Sequence, residues 1–200
     1  MRKKGILLMF ALAGLLVSCN DAIDIKQDGE ISDVYEVFRN TADVKRGLSG
    51  IYTSLPGESE VEFVSVFTDE VSIGGNNGGQ GLIGGEYGFF MQPGNDFANS
   101  TWTSYYSIVN RVNRLLKVAD ELVANGSAVA SDMNNIKAEL HGLRAYANYK
   151  LFAYYTPDYT NPSGLSIMKL DYVPDTNDLT TAIGRSTVGV IKNFIVEDVD

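Results

Sequence analysis

The chain has 200 residues and is acidic, with 25 Asp and Glu against 16 Lys and Arg and a net charge of −9. This charge argues against nucleic-acid binding, because phosphate backbones are bound by clustered Lys and Arg. The single cysteine excludes a disulfide framework and a cysteine-based zinc site, and the single histidine excludes a histidine-rich metal site within one chain.

The N-terminus has the three parts of a secretory signal peptide. Basic residues at 2–4 precede an apolar stretch over 5–17, whose 13 residues are fewer than the about 20 that a membrane-spanning helix needs. The stretch ends in Leu-Val-Ser-Cys, which resembles the lipobox of bacterial lipoproteins, where Cys19 would receive the lipid. We therefore expect residues 1–18 to be a signal peptide and residues 19–40 to be a lipidated tether. The alternative is an ordinary signal peptide followed by an unmodified thiol.

The residue after the cysteine bears on the destination of the anchored chain. Asn20 stands where an aspartate would resemble an inner-membrane retention signal. A lipid at Cys19 would anchor the protein to a membrane without spanning it. We therefore expect a lipid-anchored protein of the outer membrane.

Two short elements are predicted in the first third of the chain. Apolar side chains at helical spacing predict a helix over 41–54 with Thr41 as its cap, and Pro56-Gly57 ends it. The run Val-Glu-Phe-Val-Ser-Val-Phe at 61–67 is rich in β-branched and aromatic residues. This composition favours a strand or extended segment, with a short helix as the alternative.

A glycine-rich loop follows these elements. Eight of the 15 residues from 74 to 88 are glycine, and the sequence stays irregular through Asn99. So long a loop in a compact domain is usually functional or disordered. It carries Tyr87, Phe89 and Phe90, and aromatic rings bind the faces of sugars and anchor peptides. These three residues are the candidate ligand-binding residues, unless they pack back onto the core and hold the loop.

Two long helices are predicted over 101–124 and 131–155. Asn125-Gly126 ends the first and Pro157 ends the second. The short connection between them predicts an antiparallel hairpin.

A last amphipathic helix follows an irregular segment over 156–185. Ser186 or Thr187 is expected to cap it. Its pattern continues to Asp200, and no glycine, proline or basic last turn ends it after Val199. We therefore expect the sequence to be the N-terminal part of a longer protein.

Three features resemble catalytic or cofactor sites. The run from Gly79 to Gly84 matches G-x-G-x-x-G, but the residues after it cannot form the helix that dinucleotide binding needs. Asp69-Glu70 are adjacent, whereas glycosidases use two carboxylates about 5–9 Å apart across a sugar. His141 lies within the second long helix, and the chain has no G-x-S-x-G nucleophile motif. We therefore expect no catalytic residues, no metal and no cofactor.

Three helix signatures resemble one known family. The first runs from Trp102 to Leu116 and contains a Trp…Tyr…Ile…Asn pattern, and the second runs from Ala138 to Tyr155 and contains Ala-Glu…Arg-Ala…Tyr…Leu. The third runs from Arg185 to Asp198 and reads Arg-Ser-Thr-Val-Gly-Val-Ile…Asp. With the lipobox, they resemble the SusD/RagB family of outer-membrane nutrient-uptake lipoproteins. The loop after the second signature departs from the usual Tyr-Gly…Pro form.

The resemblance implies a mostly α fold of tetratricopeptide-like helical hairpins with long irregular loops. Residues 41–200 would be an incomplete N-terminal helical domain of that fold. It also implies a non-catalytic surface lipoprotein that captures oligosaccharides, or peptides, and passes them to a SusC-like, TonB-dependent transporter barrel. The alternatives are a helical-repeat scaffold that binds only protein partners, and a surface glycan hydrolase that uses Asp69 or Glu70.

Overall fold

Five α-helices form the framework of the part of the chain that the structure describes. The computed structural model describes residues 37–68, 70–79, 94–174 and 182–200, which belong to one compact unit. The predicted signal peptide, Cys19 and most of the tether lie outside these ranges. The helices are α1 Thr41–Tyr52, α2 Glu58–Val66, α3 Asp96–Ala124, α4 Ala130–Tyr155 and α5 Val188–Glu197.

Helix α1 is capped by Asn40, and the prediction that Thr41 caps it is wrong by one residue. The Asn40 side chain accepts hydrogen bonds from the backbone N–H groups of Ala42 and Asp43, at 2.9 and 3.1 Å. An asparagine at this position satisfies N–H groups that have no partner within the helix. Val44, Leu48 and Ile51 are buried on one face, as their spacing predicts.

Helix α2 replaces the strand that was favoured at 61–67, and the alternative of a short helix is correct. Residues three apart on a helix share a face. Glu60, Phe63 and Val66 therefore point together toward α3 and α4, where Phe63 and Val66 are buried. A strand would have placed Val61 on the same side as Phe63, yet Val61 is exposed. Tertiary contacts thus override the β propensity of this run.

Helices α3 and α4 form the predicted antiparallel hairpin. Near one end of the pair, the Tyr155 hydroxyl donates to the Ala98 carbonyl. Near the other end, the Lys137 ammonium binds the Asp120 carboxylate. The two helices therefore run in opposite directions along their contact. The fully buried side chains of both helices form the centre of the core, and among them are Tyr105, Val109, Val112, Leu140, Ala147 and Leu151.

The start of α3 differs from the prediction by five residues. The helix begins at Asp96 rather than Thr101, because the Asn95 side chain accepts from the Ala98 N–H at 3.0 Å and caps it. Phe97, assigned to the loop from the sequence, lies in the first turn. At the other end, Gly126 has a φ of +79° and turns the chain, as the Asn-Gly pair predicts.

The segment after α4 returns along the start of α5. Ser166 N–H donates to the Ser186 carbonyl at 2.8 Å, and Ser186 N–H donates to the Ile167 carbonyl at 2.7 Å. Thr187 caps α5 through its hydroxyl, one of the two residues predicted to do so. No helix in the described ranges is both long enough and apolar enough to cross a membrane.

Candidate functional site

The predicted ligand-binding residues lie outside the described ranges. Tyr87, Phe89 and Phe90 all fall between Gly79 and Gly94, where the structure describes nothing. Their role therefore stays a prediction. The helices that flank this stretch are described, and they show how both sides of the loop attach to the core.

On the C-terminal side of the glycine-rich loop, the start of α3 packs against the last turn of α4. The Tyr155 hydroxyl donates to the Ala98 carbonyl at 2.6 Å, in the first turn of α3. The Trp102 ring lies 4.9 Å from the Tyr155 ring, edge to face, and 4.7 Å from the Tyr106 ring. Such aromatic pairs add about 0.5–1.5 kcal/mol beyond area burial. The start of α3 is therefore held at a defined place.

On the N-terminal side of the glycine-rich loop, helix α2 is attached to the core by a charged cluster, which we call the Glu60 cluster. Its members are Glu60, Tyr105, Lys150 and Tyr154. The Lys150 ammonium lies 2.6 Å from a Glu60 carboxylate oxygen, and the hydroxyls of Tyr105 and Tyr154 donate to the same carboxylate. Phe63 packs edge to face on Tyr154 at 5.7 Å. The two helices that flank the loop, α2 and α3, therefore both contact the last turns of α4.

The Glu60 cluster has the electrostatics of a structural ion pair. Burial on its own would raise the pKa of Glu60, but hydrogen bonds from Lys150, Tyr105 and Tyr154 outweigh burial and lower it overall. Burial and the hydrogen bond to Glu60 raise the pKa of Tyr154 to about 12. Near neutral pH the carboxylate is therefore ionised, and the Tyr154 hydroxyl keeps its proton.

A second buried network links three of the sequence signatures. The Arg144 guanidinium donates to the two Asp198 carboxylate oxygens at 2.8 and 2.6 Å and to the Asn113 side-chain oxygen at 2.8 Å. His141 Nδ1 lies 2.8 Å from Asp198. The histidine is therefore part of a buried structural network.

The Asn113 amide carries this network to the segment after α4. Its nitrogen donates to the carbonyls of Leu170 and Tyr172, at 3.0 and 2.9 Å. A buried amide with both ends satisfied fixes the backbone that it contacts. Residues 170–172 are therefore held beside α3 although they form no regular element.

Helices α3 and α4 and residues 171–173 line an open groove of about 450 Å³, which we call the α3–α4 groove. Within it, Lys137 Nζ lies 2.6 Å from Asp120 Oδ1 and so bridges the two helices. At the rim, the Lys169 ammonium lies 2.9 Å from Asp171 and lowers the pKa of that carboxyl. The groove is lined by Asn113, Leu116, Lys117, Asp120, Glu121, Lys137, His141, Arg144, Asp171, Tyr172 and Val173.

Of the two carboxylates considered for catalysis, only Glu70 lies within the described ranges. Glu70 is exposed, and its carboxylate accepts a long hydrogen bond of 3.4 Å from the Ser65 hydroxyl. Asp69 lies outside the described residues.

Several solved structures of SusD-like proteins are similar to this chain. A SusD superfamily protein from Bacteroides fragilis matches 81% of this chain with a TM-score of 0.63 and 22% identity. A SusD-like carbohydrate binding protein from Bacteroides vulgatus matches 80% with a TM-score of 0.61 and 18% identity. A further SusD-like protein from Bacteroides fragilis matches 84% with a TM-score of 0.60 and 18% identity. The chain has the SusD-like fold.

The match covers only part of each SusD-like structure. It spans 38%, 34% and 30% of the three solved chains, in the order given. No family model matches the sequence, and no curated protein does. The likeness is therefore one of fold, and it confirms the mostly α, SusD-like fold class expected from the helix signatures.

Sequence reasoning named several residues of this SusD-like core without predicting their contacts. Asn113, Arg144 and Asp198 each belong to a different signature. One feature of the sequence does indicate that Arg144 has a buried partner. Its spacing, four residues after Leu140 and three before Ala147, places it on the apolar face of α4. A charged residue on an apolar face needs a buried partner, although the spacing does not say which one.

Proposed function

We propose that the chain belongs to a non-catalytic surface lipoprotein that captures glycans and passes them to a TonB-dependent outer-membrane transporter. The observation that carries the proposal is the SusD-like fold, which a protein described as carbohydrate binding shares. The glycine-rich loop adds support, because it carries three aromatic residues and the helices on either side of it, α2 and α3, both contact α4.

The capture step is tested by glycan and peptide binding to the purified full-length protein. Glycan arrays and a peptide library identify the ligand, and calorimetry measures its affinity. We expect a glycan to bind, and simultaneous replacement of Tyr87, Phe89 and Phe90 by Ala to weaken binding at least tenfold. Tyr149→Ala, an exposed tyrosine on α4, is the control. Binding of peptides alone, turnover of the glycan, or no binding would each contradict the glycan-capture proposal.

The lipid anchor is tested separately at Cys19. The Cys19→Ala variant lacks the sulfur that would carry the lipid, and we expect it to leave the membrane fraction. Membrane fractionation and mass spectrometry of the N-terminal peptide give the readout. A variant that fractionates like the wild type, without lipid on either, would rule out the anchor.

The transporter partner is tested by affinity purification from detergent-solubilised outer membrane. We expect a SusC-like, TonB-dependent barrel to co-purify with the tagged protein. Protease accessibility on intact cells, compared with lysed cells, tests exposure at the cell surface. Recovery of other protein partners with no barrel would favour the scaffold alternative.

A further inference from the structure

We propose that the α3–α4 groove is a second glycan-binding subsite, in which an uncharged sugar ring stacks on Tyr172. The inference rests on the proposed glycan capture and assigns part of it to described residues. The walls of the groove come from α3, α4 and the segment after α4. Its volume of about 450 Å³ falls within the range of about 300–1,000 Å³ typical of small-ligand pockets.

Tyr172 supplies the stacking surface. Tyr172 lines the groove and is 49% exposed, so part of the residue is available to a ligand. Its backbone carbonyl accepts the 2.9 Å hydrogen bond from Asn113, which Arg144 in turn holds. An aromatic residue on a backbone that is already fixed loses little conformational entropy on binding. The buried network therefore fixes the backbone that carries the ring on which a sugar would stack.

The charges of the groove favour a neutral ligand. Three lining residues are basic, Lys117, Lys137 and Arg144, and three are acidic, Asp120, Glu121 and Asp171. The Lys137 ammonium is paired with Asp120, and Arg144 is paired with Asp198 behind the groove. An acidic sugar would meet carboxylates as well as ammonium groups and would gain little net attraction. Sugar hydroxyls both donate and accept, so they match this mixture of donors and acceptors.

The test measures binding of neutral and acidic oligosaccharides to the full-length protein by isothermal titration calorimetry. The neutral probes are maltohexaose, xylohexaose and mannohexaose, and the acidic probe is trigalacturonic acid. We expect one neutral probe to bind more tightly than the acidic one. Tyr172→Ala should weaken the affinity for the neutral probe about tenfold, the size of a lost stacking contact. Tyr172→Phe retains the ring and should retain the affinity. Lys117→Ala, on the α3 wall, should weaken binding several-fold.

Tyr149→Ala is the matched control, because Tyr149 is also an exposed tyrosine and lies outside the groove. It should bind like the wild type. If a glycan binds and Tyr172→Ala does not change its affinity, the groove inference is overturned while glycan capture stands. Preference for the acidic probe overturns the inference as well. If no glycan binds in any assay, both proposals fail together.

Discussion

Arg144 and Asp198, 54 residues apart in sequence, form a buried ion pair with two parallel hydrogen bonds of 2.8 and 2.6 Å. The guanidinium also lies 5.0 Å from the centre of the Phe194 ring on α5. Two parallel N–H···O bonds fix the orientation of both groups as well as their distance. The pair therefore locks the end of α5 onto the middle of α4.

Removal of the arginine should destabilise the fold strongly. Arg144→Ala leaves the buried Asp198 carboxylate without its main partner and the Asn113 oxygen without a donor. Loss of one partner of a buried pair costs about 3–5 kcal/mol. We expect a loss of this size in the free energy of unfolding, measured by urea denaturation followed by circular dichroism. Arg114→Ala, an exposed arginine on α3, should change it by less than about 0.5 kcal/mol, and equal losses for both variants would refute this role.

The Glu60 cluster should make stability depend on pH in the acid range. The folded state lowers the pKa of Glu60 from its ordinary value of 4.5. The stabilisation is therefore fully present above the unfolded pKa and is lost as pH falls through the folded pKa. Glu60→Gln should cost about 2 kcal/mol at pH 7. The difference from wild type should shrink below pH 4.5.

The control for this pH dependence is Glu62→Gln, which makes the same chemical change at an exposed position of the same helix. Urea denaturation at a series of pH values gives the readout. Glu62→Gln should follow the wild-type profile throughout. A Glu60→Gln profile parallel to wild type across the acid range would show that the carboxylate contributes nothing through its charge.

Local patterns predicted the long helices well, because their apolar positions repeat over many turns. The hairpin of α3 and α4 follows from two such runs and the Asn125-Gly126 turn between them. The start of α3 was missed because Asn95 follows a glycine-rich stretch, where no periodic pattern marks a helix. The helical state of α2 was left open because nine residues carry too few turns to outweigh β propensity.

Contacts between distant residues account for what local patterns missed. Glu60 and Lys150 are 90 residues apart, so no spacing rule connects them. Tyr172 lies in an irregular segment whose place depends on Asn113, a residue 59 positions earlier. The candidate groove therefore emerges only when three elements pack together, whereas the loop aromatics were noticed because composition alone singles them out.

Helix α2 can be tested by its two hydrophobic residues of opposite exposure. Phe63 is 7% exposed and Val61 is 64% exposed. Phe63→Ala removes an edge-to-face contact with Tyr154 and leaves a cavity, so we expect a loss of about 3 kcal/mol in the free energy of unfolding. Val61→Ala should be nearly neutral, since alanine favours helices and the valine packs on little. Similar losses at both positions would instead favour a strand, in which these residues share a face.

Two glycines of the α3–α4 hairpin should respond to the same substitution with opposite signs. Gly126 has a φ of +79°, where an L side chain is strained, so Gly126→Ala should lower the free energy of unfolding by about 1 kcal/mol. Gly142 lies inside α4, and a Cβ added there meets nothing within 4 Å. Gly142→Ala should therefore raise the free energy of unfolding by about 0.5–1 kcal/mol, because alanine loses less backbone entropy in a helix. Urea denaturation of both variants gives the comparison, and a stabilised Gly126→Ala would show that the connection does not need the left-handed turn.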